Sequence, residues 1–219
     1  MNYPIRINKY LRDKNIASRR EADELVEKGL VMVNKEIVDK GYMVKEEDVV
    51  SVKDYEKNYQ YFAYYKPRGL PTQDLFGRKS VVTMFKEKGL YPVGRLDKES
   101  EGLIFLTNDG RFTRQVLSQK KEFEKEYLVT VREKLQAEVR EVFLKGMKSK
   151  TFGPLLPARV EIVDDHSLKI VLNEGKRHQI RVMLSELSYT VTSLKRVRIG
   201  DVSIGSMKPG EILKIKVNI

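Results

Sequence analysis

The strongest constraint in this chain is a short apolar run, Leu103-Ile104-Phe105-Leu106-Thr107, closed by Asn108-Asp109-Gly110. A run of that length, β-favouring and ended by turn residues, predicts a strand buried on both faces. Gly94 and Gly102 bracket the polar insert that enters it, Arg95 to Glu101. Within that loop Asp97 follows a cation, Arg95, by two residues. Loops fixed by core strands often carry chemistry, and a carboxylate held there can act as a nucleophile. The same acid could also do nothing more than pair with Arg95 or Lys98 at the surface.

The chain has 219 residues, room for one large or two small domains. It has no cysteine, which excludes disulfides and thiolate metal sites. Its two histidines, His166 and His178, lack the spacing of a metal cluster. No apolar run approaches the ~20 residues that span a bilayer, and MNYPIRINKY lacks the apolar core of a signal peptide. The expectation is a soluble cytoplasmic monomer with no membrane contact, no metal and no cofactor.

Net charge is +11. Residues 1–59 are balanced, with 12 basic and 12 acidic side chains, so the excess lies in residues 60–219. The balance hides a basic front. Arg6, Lys9, Arg12, Lys14, Arg19 and Arg20 precede every acid except Asp13. Clustered cations attract polyanions, and nucleic acid is the usual one.

The same front carries helical spacing. Ile7, Tyr10 and Leu11 suit a short helix over 6–12. Ser18, with Glu21 three residues on, forms a capping box for a second helix that runs through Ala22, Leu25 and Val26 and stops near Gly29. Val31-Met32-Val33, Asn34-Lys35 and Ile37-Val38 read as a hairpin, and residues 49–52 as a closing strand. This order, IRINKYLRDKNIASRREADELVEKGLVMVNKEIVDKGYMVKEEDVVSV, resembles the S4 RNA-binding domain. The resemblance implies that Arg6, Lys9, Arg12, Arg19, Arg20 and Asn34 face RNA.

Residues 53–60 read as a polar linker. Residues 61–65 form a strand ended by Lys66-Pro67-Arg68-Gly69, followed by a mobile loop over 70–80 and a helix over 81–88. Helices are expected over 111–119, 135–144 and 177–187. Strands are expected over 126–131 and 212–217, with a hairpin of 158–163 and 168–172 whose turn holds His166. Without regular βαβ alternation, the fold class is α+β: a small S4 domain, residues 1–59 with linker, then a domain over 60–219 on a mixed, largely antiparallel sheet with flanking helices.

GRLDKESEGLIFLTNDG is similar to the central motif of the bacterial rRNA pseudouridine synthases with an S4 domain, the RsuA/RluF type. KPRG resembles the first motif of that family, EKEYLVTV its tyrosine strand and NEGKRHQIRVM its third motif. The RHQIR segment is closer to the related RluA type, and Val182 stands where many S4-bearing members carry arginine. SLKRVRIGDVSIG resembles the stretch that follows.

The resemblance implies Asp97 as nucleophile, Tyr127 as the tyrosine stacked on the base, and Arg181 as the cation paired with Asp97. Arg95 would handle the flipped nucleotide, and Lys66, Lys176 and Arg177 would contact RNA. The implied activity is isomerisation of uridine to pseudouridine in ribosomal RNA, with large-subunit RNA favoured over small-subunit RNA. An RNA-binding or ribosome-assembly protein that kept the fold is the alternative. Lys195, Arg196 and Arg198 read as an RNA-facing or solvated edge. For His178 and Gln179, RNA or loop contact and local capping both stay open.

Overall fold

The structure is a computed structural model that describes residues 2–53, 58–74, 76–118 and 123–217. The centre of the expected linker, residues 54–57, and the end of the expected 111–119 helix lie outside the described residues. Internal contacts divide the chain into two compact units. One runs to Tyr59 and takes in Asp109–Arg114, and the other comprises Gln60–Asn108 and the chain from Gln115 onward.

In the first unit, β1 (Ile5–Arg6) leads into α1 (Ile7–Asp13) and α2 (Arg19–Glu27). The capping box forms as the sequence predicts: the Ser18 hydroxyl accepts from Glu21 N–H, and Ser18 N–H donates to the Glu21 carboxylate, both at 3.3 Å. The strands β2 (Val31–Val33), β3 (Glu36–Ile37), β4 (Met43–Val44) and β5 (Val50–Val52) follow. β2 pairs antiparallel with β3 and β5, and β1 pairs with β4. Asn34 and Lys35 both take positive φ, 53° and 74°, the twist a two-residue hairpin turn requires. Ile7, Leu11, Ala22, Leu25, Val26, Val31 and Val33 form the core. Burying an aliphatic side chain fully contributes about 1.5–3 kcal/mol, so a few such residues hold this small module.

The second unit starts with β6 (Tyr61–Lys66), α3 (Val81–Phe85), β7 (Tyr91–Val93) and β8 (Glu101–Thr107). After α4 (Gly110–Leu117) come β9 (Lys125–Val131) and α5 (Glu138–Lys145). The short pair β10 (Lys148–Ser149) and β11 (Gly153–Pro154) precedes the hairpin β12 (Arg159–Ile162) and β13 (Ser167–Leu172). The chain closes with α6 (Gln179–Glu186), β14 (Val191–Ile199), β15 (Val202–Ser203) and β16 (Ile212–Lys214).

One sheet runs β12-β13-β9-β14-β8-β6-β16, with β15 on β14 and β7 on β8. Among the described strands, only the β14–β8 pairing is parallel. All of β8 after Glu101 is buried, as its apolar run requires. β14 is the longest strand and sits in the middle of the sheet, although its Thr, Ser, Lys and Arg residues gave no strand signal. The helix expected over 135–144 starts at Glu138 instead. Leu135 N–H donates to Asp165 O at 2.8 Å and Gln136 N–H to the Tyr189 hydroxyl at 3.2 Å. These contacts hold the first three residues out of the helix.

At the β8–β14 junction sits Gly102, with φ +110°. A Cβ there would lie 2.3 Å from Arg196 O and 2.7 Å from Arg196 N. Only glycine lets the two backbones approach this closely at that φ. The loop bearing Asp97 therefore enters the sheet against a fixed neighbour.

Candidate active site

Asp97 lies in the loop between β7 and β8, and six contacts hold that loop. The Thr72 hydroxyl donates to Leu96 O at 2.7 Å and accepts from Leu96 N–H at 3.0 Å. Gly69 N–H donates to Lys98 O at 2.8 Å, and Ser100 N–H to Asp97 O at 3.1 Å. Arg181, on α6, donates to Glu99 O at 3.2 Å and contacts Ser100 Oγ at 3.4 Å. The Asp97 backbone is thus clamped on both sides while its carboxylate stays partly open, 31% exposed.

The carboxylate faces a cavity of about 860 Å³. Lys125 and Tyr127 of β9, Leu194 and Arg196 of β14, and the 172–181 segment line it together with Asp97. Tyr127 pairs with Arg196 across the ladder and is 8% exposed. The cavity brings Asp97, Tyr127, Arg181, Arg95, Lys176 and Arg177 together, although they span more than eighty residues. Its charge is lopsided. Arg95, Lys98, Lys125, Lys176, Arg177, Arg181 and Arg196 face only Asp97 and Glu174 among the lining carboxylates. Such a wall concentrates a polyanion.

Several residues depart from expectation. Arg181 makes no ion pair with Asp97 among the described residues; it braces the backbone of the following loop and also donates to Val191 O. The carboxylate instead meets His178, whose Nδ1 lies 3.0 Å from Asp97 Oδ2. Gln179 is buried and caps locally: it accepts from Lys176 N–H at 2.9 Å and donates to Glu174 at 2.7 Å.

Lys66 was expected at an RNA surface, and the structure corrects this. It is fully buried, and its ammonium donates to Pro67 O at 3.0 Å and Leu70 O at 2.7 Å. The turn it braces is the one that presents Gly69 N–H to the Asp97 loop. Burial pushes the Lys66 ammonium down to about 8, against the opposing charges of Asp97 and Glu101.

The expected edge of Lys195, Arg196 and Arg198 is also divided by the structure. Arg198 pairs with Glu126 at 2.8 Å. Arg196 is 4% exposed, donates through Nε to Leu103 O at 2.7 Å, and keeps a buried Nη2 without a partner among the described residues. Asn173 Oδ1 is a second buried polar atom of the cavity wall without a partner. Burial and the nearby Arg196 charge both lower the pKa of Lys125. Unpaired buried polar groups cost stability, and in a cavity wall they are donors and acceptors left for a ligand.

Thr72 was missed as a site residue, and no sequence signal pointed to it. His178, for which RNA or loop contact and local capping were both open, meets the Asp97 loop, and Lys66, expected to contact RNA, braces the turn beside that loop.

On the first unit, Arg6, Lys9, Arg19 and Arg20 are exposed. Arg12 forms an ion pair with Asp13. The Asn34 side chain is engaged within the unit: it donates to Asp48 at 2.8 Å and accepts from Val49 N–H at 3.0 Å.

The sequence matches the family model for RNA pseudouridylate synthases over residues 60–186 and that for the S4 domain over residues 5–50. It is 35% identical to the dual-specificity RNA pseudouridine synthase RluF of Escherichia coli K12, over 94% of this chain and 74% of that one. It is 30% identical to the ribosomal large subunit pseudouridine synthase B of Bacillus subtilis 168, over 94% and 90%. A crystal structure of a pseudouridylate synthase superposes with a TM-score of 0.71 at 28% identity, covering 97% of this chain and 96% of that one. No helix among the described residues is long and apolar enough to cross a membrane.

Proposed function

We propose, for a chain that belongs to the RNA pseudouridylate synthase family and carries an S4 domain, that it isomerises a uridine of ribosomal RNA with Asp97 as nucleophile. The observation that carries this reading is one partly open carboxylate in an otherwise cationic cavity, with Tyr127 in its wall. Large-subunit RNA is the preferred substrate, in keeping with the name of the Bacillus relative, and the cytoplasm is where the enzyme meets it.

The uridine leaves its stack to reach the cavity. Tyr127 offers an aromatic face to the base, and Arg95 supports the opened RNA. With Asp97 as nucleophile, the C1′–N1 bond breaks, the base turns, and C1′ bonds to C5. The C5 proton is lost and N1 gains one, so the reaction is an isomerisation with no net co-reactant. Asp97 serves this only as an anion. Arg181 keeps the loop in place, while Lys176 and Arg177 offer charge to the phosphates. Arg6, Lys9, Arg12, Arg19 and Arg20 of the S4 domain hold RNA outside the cavity.

The test is pseudouridine formation on unmodified 23S and 16S rRNA transcripts. The wild-type protein is expected to modify one of them, and Asp97→Asn to lose activity on the order of 10⁴-fold, the scale for removal of an essential catalytic side chain. An active Asp97→Asn protein sinks the assignment.

A further inference from the structure

We propose that His178 is a positioning residue for Asp97, acting as a neutral imidazole that donates from Nδ1, with Arg177 selecting that tautomer. The proposal rests on the reading of Asp97 as nucleophile and assigns what holds its reacting oxygens.

His178 Nδ1 lies 3.0 Å from Asp97 Oδ2, and Arg177 Nε–H donates to His178 Nε2 at 3.2 Å. A guanidinium has donors only, so Nε2 must supply the lone pair. The ring proton then sits on Nδ1, the nitrogen that lies 3.0 Å from the carboxylate. A neutral donor in that place steadies one oxygen of Asp97 without cancelling its charge and leaves the other to the substrate. Which nitrogen of a histidine carries the proton is set by the bond the other nitrogen makes, and here that bond comes from the adjacent residue.

The backbone gives an independent argument. His178 takes φ +56° and ψ 20°, the left-handed conformation, at the start of α6, and its side chain caps nothing there. A non-glycine residue in that region costs of order 1 kcal/mol or more and persists where its surroundings impose it. The ring is 43% exposed, so packing does not impose the conformation. Among the described residues, the ring's polar contacts are Arg177 and Asp97. The strained turn therefore aims the ring at the nucleophile, and α6 carries Arg181 onto the same loop.

The test uses two variants that both tolerate this backbone, on the full-length protein with unmodified 23S and 16S rRNA transcripts. His178→Gly removes the ring without strain, and His178→Asn places an amide N–H near the Nδ1 position. The expected result is a 10- to 100-fold lower kcat for His178→Gly, the order of effect of misplacing a catalytic group by about 1 Å. KM should change less than about threefold, and His178→Asn should recover most of the rate. Nitrogen-15 NMR of the wild-type protein should show the His178 proton on Nδ1, and Arg177→Gln should weaken that preference.

A kcat for His178→Gly within twofold of wild type, a loss confined to KM, or a proton on Nε2 would each overturn the proposal. Asp97→Asn in the same assay keeps the two ideas apart. If it is dead while His178→Gly is unaffected, the nucleophile stands and the positioning role falls. If it is active, the nucleophile assignment itself has failed.

Discussion

The two units treat their polar groups in opposite ways. In the first, the capping box of Ser18 and Glu21, the Asn34–Asp48 bond and the Arg12–Asp13 pair settle local groups, and the remaining cations lie at the surface in water. In the second, Lys66 and Arg196 are taken below the surface, an Arg196 Nη2 and an Asn173 Oδ1 go unpartnered, and His178 is held in a left-handed turn. A surface that only grips RNA needs exposed charge and little else. A cavity that must hold one carboxylate beside one base accepts desolvation and strain. That difference makes the two regions fail differently when altered.

The sharpest break is at Gly102. Gly102→Ala adds a methyl 2.3 Å from a backbone oxygen at a φ that side chains rarely adopt, and should lower unfolding free energy by about 3 kcal/mol or more. Urea unfolding would measure it, and a loss below about 1 kcal/mol would show that β8 and β14 can separate cheaply.

Lys66 gives a middle-sized effect with a defined sign. Below pH about 8 it is protonated in both folded and unfolded states, and its burial costs stability. Between about 8 and its ordinary value of 10.5 the folded protein releases the proton while the unfolded chain keeps it. Stability then rises with pH, by up to about 1.4 kcal/mol per unit relative to Lys66→Met. Unfolding both proteins across that window tests it, and parallel pH curves would mean that Lys66 is not desolvated.

The smallest effect is on the first unit. Arg19→Gln with Arg20→Gln should leave folding and kcat at saturating RNA intact. It should weaken RNA binding and flatten the salt dependence of binding by about one unit per lost phosphate contact. An unchanged salt slope would remove these two arginines from the RNA-binding surface.

The same contrast explains what the sequence made legible. The Ser18/Glu21 cap, the Asn34-Lys35 turn and the apolar run of β8 are set by neighbours a few residues apart, and each appears where the local chemistry puts it. β14 was invisible because its central place comes from pairing with β9 and β8, while the Thr192-Ser193 and Lys195-Arg196 pairs interrupt its apolar residues. Tyr127, Arg95 and Arg181 were found through motif resemblance, and all three line the cavity. The partner of Asp97 was not found, because His178 lies in a distant segment and its tilt depends on a turn that no short-range signal announces. Lys66 was misread for a similar reason. Ending a strand with Lys-Pro says nothing about whether the ammonium turns out to solvent or back under the following turn.

The parallel pairing of β14 with β8 has a consequence for synthesis. When Asp97 leaves the ribosome, its clamp from Thr72 is already available, but Arg181, His178 and the β14 edge are still to be translated. Chains grow at about 5–20 residues per second, so for several seconds the nascent protein carries the proposed nucleophile with no finished cavity around it. The helix-and-hairpin segment has all of its core residues by then. This protein emerges first as something that can hold RNA and only at the end as something that can change it.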